Sequence, residues 1–60
     1  MSETIIERLS RVRKEKGLTL FELAIRMRVP TAMMSQLERG KRHPTAQQAD
    51  VIRAFLGGKL

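Results

Sequence analysis

The sequence has no cysteine, tryptophan or tyrosine, and only two phenylalanines, two prolines and one histidine in 60 residues. Without cysteine there is neither a disulfide framework nor a thiolate metal site. His43 alone cannot build a metal cage, so no metal and no cofactor is expected. No apolar run approaches the ~20 residues a bilayer span needs, and the first residues lack a signal-peptide pattern. A membrane partner is therefore not expected. Acid is scarce as well: six Asp plus Glu stand against twelve Lys plus Arg, a net charge of +6. A chain this short buries only ~60% of the surface its unfolded form exposes, which argues against a roomy enzyme pocket. No paired carboxylates, nucleophile–base set or phosphate-cradling glycine loop is spelled out, so the chain does not read as an enzyme. What is left is a small, strongly basic domain whose first suspected partner is nucleic acid.

Gly17, Pro30, Gly40, Pro44 and Gly57-Gly58 cut the chain into four stretches, and no stretch alternates with period two. The expectation is an all-α, four-helix single domain with helices at about 3–16, 20–27, 30–39 and 46–56. The first places Ile5, Ile6, Leu9 and Val12 on one face, with Arg13 at its edge. Gly17 suits its end, since glycine takes the left-handed conformation at little cost. The second opens on the capping-box spelling Thr19-Leu20-Phe21-Glu22 and turns Leu20, Leu23, Ala24 and Met27 inward. Pro30 fits the first turn of the third helix. There Met33, Met34 and Leu37 share the inner side, with Glu38 at its margin. Thr31, Ala32, Ser35, Gln36 and Arg39 form a small, polar outer side. The fourth starts with Thr45-Ala46-Gln47-Gln48, a second capping box, and buries Ala49, Ile52, Phe55 and Leu56.

Two short helices joined by three residues, the second with a polar outer face, spell a helix-turn-helix. In that arrangement the second helix enters the DNA major groove. On Arg13–Thr19, Glu22-Leu23-Ala24, Val29, Met34–Arg42 and Pro44-Thr45, the chain resembles the lambda-repressor-like (Xre/Cro-type) family over about residues 5 to 57. The order and spacing of these pieces carry the resemblance. It implies a cytoplasmic, bacterial or phage-encoded, nucleoid-associated regulator of transcription, a repressor that binds double-stranded DNA as a homodimer. It also implies an internal ion pair between Arg13 and Glu38, which sit with opposite sign at the margins of two apolar faces. Base reading carries over onto Thr31, Ala32 and Gln36, with Ser35 beside them. A Gln amide can bond adenine N6 and N7 together, and the Ala32 methyl suits a thymine methyl. Thr19, Arg28, Arg39, Lys41, Arg42, His43 and Thr45 are the candidate phosphate contacts. The amides at the start of the fourth helix belong with them.

Three departures from the family pattern stand out. Arg28 occupies the turn position that usually holds glycine, so a positive φ or a rearranged turn is expected. Leu20, Phe21 and Ile25 are apolar where the family is typically polar. Either these side chains are covered by the first or fourth helix, or they form a partner surface. The chain also ends where the family usually continues into a fifth helix. Phe21 and Ile25, together with Phe55, Leu56 and Leu60, are therefore candidates for a dimer surface. The alternative function is a protein-interaction module, antitoxin-like or adaptor, using the Leu20/Phe21/Ile25 patch.

Overall fold

A computed structural model describes residues 3–58. Four helices follow one another: α1 (Ile5–Glu15), α2 (Leu20–Met27), α3 (Thr31–Glu38) and α4 (Ala46–Leu56). No strand occurs among the described residues. The fold is all-helical. α2 and α4 have the expected bounds, while α1 and α3 are shorter than the sequence predicts, for identifiable reasons. Thr4 stands outside α1 as its N-cap, in extended conformation, and exchanges bonds with Glu7 in a capping box. Glu3 is thereby excluded from the helix. Pro30 is likewise the N-cap of α3 and not its first turn. Its φ of −61° is the ring's fixed value, but its ψ of 146° is extended, and its carbonyl accepts the first helical bond from Met34.

α2 and α4 start with the two expected capping boxes, Thr19 with Glu22 and Thr45 with Gln48. Each box satisfies two backbone donors that the helix leaves without partners. The ends of α1, α2 and α3 share one solution. After α1, Leu18 N–H returns to the Arg13 carbonyl and Gly17 N–H to Lys14; after α3, Lys41 returns to Gln36 and Gly40 to Leu37. After α2, Val29 returns to Ala24 and Arg28 to Ile25. This pair of bonds needs a left-handed residue. Gly17 (φ 70°) and Gly40 (φ 74°) supply it twice, and Arg28 (φ 58°) supplies it after α2.

The buried core consists of Leu9, Leu23, Ala24, Met27, Met34, Leu37, Ile52 and Phe55, so every helix contributes. Ile5, Ile6, Val12, Leu20, Met33 and Leu56 pack at its edge, as the helical spacing predicts. α3 lies against α2 and α1, and α4 closes the other side against α1 and α2. The radius of gyration, 10.4 Å, is what a compact chain of this length should have. One of the partner-surface expectations, Phe55, is corrected by this packing. Phe55 is a core residue, 2% exposed, because it stands three residues after Ile52 on the same inward face. Leu20 and Leu56 are half-buried against the core. Leu60 lies outside the described residues.

Candidate nucleic-acid interface

The margin between α1 and α3 is closed by an ion pair. Arg13 Nε donates to Glu38 Oε2 at 2.8 Å and Arg13 Nη2 to Oε1 at 3.1 Å, with the two side chains only 14% and 10% exposed. Two further bonds complete the site: Ser10 Oγ donates to Glu38 Oε1 at 3.2 Å, and Arg13 Nη1 to the Leu18 carbonyl at 2.9 Å. A two-point guanidinium–carboxylate contact is directional as well as strong. It holds the C-terminal end of α3 to the first helix and fixes which way α3 faces. No sequence spacing announces Ser10 or the Leu18 carbonyl as partners.

With α3 anchored, Met34 and Leu37 are buried and Met33 is half-buried, its sulfur 3.3 Å from Gln48 Nε2. The opposite side is open. Thr31, Ala32 and Gln36 are exposed, and Ser35 is half-exposed. No charge lies on this side until Arg39. α3 is also the one described helix with no side-chain cap, because proline in the N-cap position offers no acceptor.

Cations flank α3 along the chain. Arg26 and Arg28, before α3, border a groove with Thr45, Gln47 and Gln48, floored by Met27, Val29 and Val51. Arg39, Arg42 and His43, after α3, border a second groove with Thr4, Ile5 and Leu37, whose lining also includes the acids Glu7 and Glu38. Lys41 is exposed next to them. None of Arg26, Arg28, Arg39, Lys41 and Arg42 forms a salt bridge with an acid among the described residues. Arg26 does lie near enough to Glu22 to lower its carboxyl pKa, after the larger effect of the Thr19 bonds. The acids have other bonding partners. Glu38 belongs to Arg13, while Glu3 and Glu15 hold Arg11 at 2.9 and 3.0 Å. The Arg11 hydrogen bond keeps the Glu3 carboxyl below its ordinary pKa. Asp50 pairs with Arg53, and Glu7 and Glu22 serve as helix caps. From Leu23 to Ala49 the only acid is Glu38 against five arginines and lysines, a balance of +4 out of the total +6.

The capping boxes limit two of the candidate phosphate contacts. The Thr45 amide donates to Gln48 Oε1, and the Gln48 amide to Thr45 Oγ1. The amides of Ala46 and Gln47, together with the hydroxyl proton of Thr45, are the donors left at the start of α4. Thr19 is bound in the same way to Glu22, and its hydroxyl also stabilises the Glu22 carboxylate, so Thr19 is committed to its own cap. Phe21 and Ile25 are 62% and 60% exposed, and the expectation that a neighbouring helix covers them is not met. No helix among the described residues is long and apolar enough to cross a membrane, and no group of His, Asp or Glu there could hold a metal ion.

No family model matches the chain, and neither a curated protein nor a solved structure matches it. Any functional reading therefore rests on the residues and their arrangement.

Proposed function

We propose that this chain binds duplex DNA sequence-specifically as a helix-turn-helix module of the lambda-repressor-like type, and that it regulates transcription, as a repressor occupying an operator. The observation that carries the proposal is the separation of charge around α3. The helix offers an open, uncharged side, and the cations that flank it along the chain form no salt bridge among the described residues. α3, eight residues long, measures about 12 Å, and the B-DNA major groove is about 12 Å wide. A helix lying in that groove has phosphates on either side, which is where Arg26 and Arg28, and Arg39, Lys41 and Arg42, would be needed. Thr31, Ala32, Ser35 and Gln36 would then meet base edges. A homodimer would set two such helices on half-sites one helical turn apart, about 34 Å, and multiply their selectivity.

The test is titration of the protein with a randomised duplex pool, followed by the duplex that selection enriches, at ~50 and ~200 mM salt. If five cations neutralise phosphates, log K falls with log[salt] at a slope of about −4 to −5, and the selected duplex is preferred over random sequence. Equal, salt-insensitive binding of every duplex, or no binding, overturns the proposal. The exposed Phe21 and Ile25 side chains favour a second reading, a protein-interaction module that uses α2. That reading predicts a tight protein partner together with weak DNA binding that varies little with salt.

A further inference from the structure

Gln36 and Arg42 stand six positions apart with a helix end between them, yet their side chains meet. Arg42 Nε donates to Gln36 Oε1 at 3.1 Å. The turn brings them together: Gly40 takes φ 74°, and Lys41 N–H returns to the Gln36 carbonyl at 2.9 Å, which folds the following residue back alongside α3. Neither terminal nitrogen of Arg42 has a partner among the described residues, and neither has the Gln36 NH2 group.

We propose that Arg42 is a positioning residue for base reading, with Nε fixing the orientation of the Gln36 amide while its two terminal nitrogens hold a phosphate. The proposal rests on the DNA-binding reading above. A glutamine amide carries an acceptor at one end and a donor at the other, and the torsion that exchanges them is broad and roughly two-fold. Left free, Gln36 would present either polarity to a base edge. Arginine has donors only, so the amide oxygen must be the end that faces it. That oxygen retains a second lone pair. The fixed amide can therefore still bond adenine N6 and N7 together, but in one direction along the groove. In water an exposed contact of this kind adds little to stability. Once a duplex closes over it and water leaves, the same bond strengthens. Its effect accordingly falls on discrimination between bases and not on folding. Lysine would keep the charge but lacks the planar fork that engages an amide and a phosphate together.

The experiment uses the duplex selected by the wild-type protein and its three single-base variants at the pair where Gln36→Ala abolishes preference. Affinities are measured for wild type, Arg42→Lys, Gln36→Ala and the double variant. The expected result is that Arg42→Lys keeps the wild-type melting temperature, while any loss of affinity through its phosphate contact is shared equally by all four duplexes and by random duplex. Its preference at that one base pair falls about fivefold or more, towards that of Gln36→Ala. In the Gln36→Ala background the same change alters all four duplexes equally. If Arg42→Lys retains the wild-type preference, or weakens all four duplexes alike in both backgrounds, Arg42 is a phosphate contact alone and the inference is overturned. If Gln36→Ala abolishes preference at no pair, Gln36 does not read a base, and the inference again falls while DNA binding stands. A wild-type protein that enriches no duplex from the pool removes the DNA-binding reading itself.

Discussion

Replacing Arg28 by glycine should change two properties in opposite directions. Arg28 closes α2 with φ 58°, ψ 43°, the position that glycine fills after α1 and α3. For a residue with a Cβ this conformation costs about 1–2 kcal/mol. Glycine removes that cost but adds unfolded-state freedom worth roughly 0.5–1 kcal/mol. The net gain is about 0–1.5 kcal/mol, centred near ~0.75, which in a domain of this size raises the melting temperature by roughly 3–6 °C. The Arg28 guanidinium has no acidic partner, so its removal breaks no ion pair in the fold. On DNA the effect is reversed. Losing one phosphate contact lowers the salt slope by about 1 and weakens binding about fivefold at 0.15 M salt. Arg28→Ala separates the two effects, because alanine loses the charge but keeps the strained Cβ. Thermal melts by circular dichroism and duplex titrations of both variants decide the matter. A glycine variant that melts no higher than the alanine variant would refute the strain argument. If both variants bind DNA as tightly as the wild type, Arg28 does not touch a phosphate.

Other expectations follow from the same geometry. Glu38→Ala strands the Arg13 guanidinium in a site where it is only 14% exposed, at a cost of about 3 kcal/mol or more. Against a total stability of about 3–9 kcal/mol for sixty residues, that loss is large. An unchanged denaturant midpoint would show that the pair contributes nothing. Phe21→Ser combined with Ile25→Ser should leave the melting temperature close to wild type, within about 0.5 kcal/mol per site, because both side chains lie mostly in solvent; a large fall would place them in the core. The Glu22 carboxyl is held below its ordinary pKa by the Thr19 backbone amide and then by the Thr19 hydroxyl. Its contribution is therefore present above the unfolded value, about 4.3, and disappears as pH falls through the lower folded value. Melting curves from pH 5 to pH 2 should be flatter for Glu22→Gln than for wild type, since glutamine caps α4 in the same way without titrating. Identical curves would mean that the α2 cap does not report on acid.

The parts of this fold that could be read from the sequence are those fixed by chemistry close along the chain. The boxes at Thr19 and Thr45 set the starts of α2 and α4 and the stops at Gly17 and Gly40 the ends of α1 and α3, because cap and partner lie within three to five residues. Thr4-Ile5-Ile6-Glu7 has the same spelling as the other boxes, and reading it would have moved the start of α1 from Glu3 to Ile5. The helical spacing already put Phe55 on the inward face of the fourth helix with Ile52, and its burial removes it from the candidate partner surface. The fate of Phe21 and Ile25 was not. A helical wheel names the side on which residues lie, but which neighbour reaches that side depends on packing between helices. The Arg13–Glu38 pair was visible as opposite charges at two apolar margins, whereas Ser10 and the Leu18 carbonyl enter only once α1 and α3 meet. The Gln36–Arg42 contact follows no helical period because a turn intervenes.

The placement of Glu38 links the stability of the molecule to its candidate interface. A free carboxylate near the end of α3 would repel phosphates and would add to the negative pole of the helix. Engaged from within by Arg13, it leaves that end to Arg39, Lys41 and Arg42, which offset the helix pole before any ligand arrives. These cations then act at two levels with different sensitivity to salt. Their interaction with the helix end falls off within about a turn and is weak, whereas counterion release at a duplex accumulates with every phosphate neutralised. A fold organised in this way should change little in stability between low and moderate salt while its affinity for DNA falls steeply, because only the second process depends on many charges acting together.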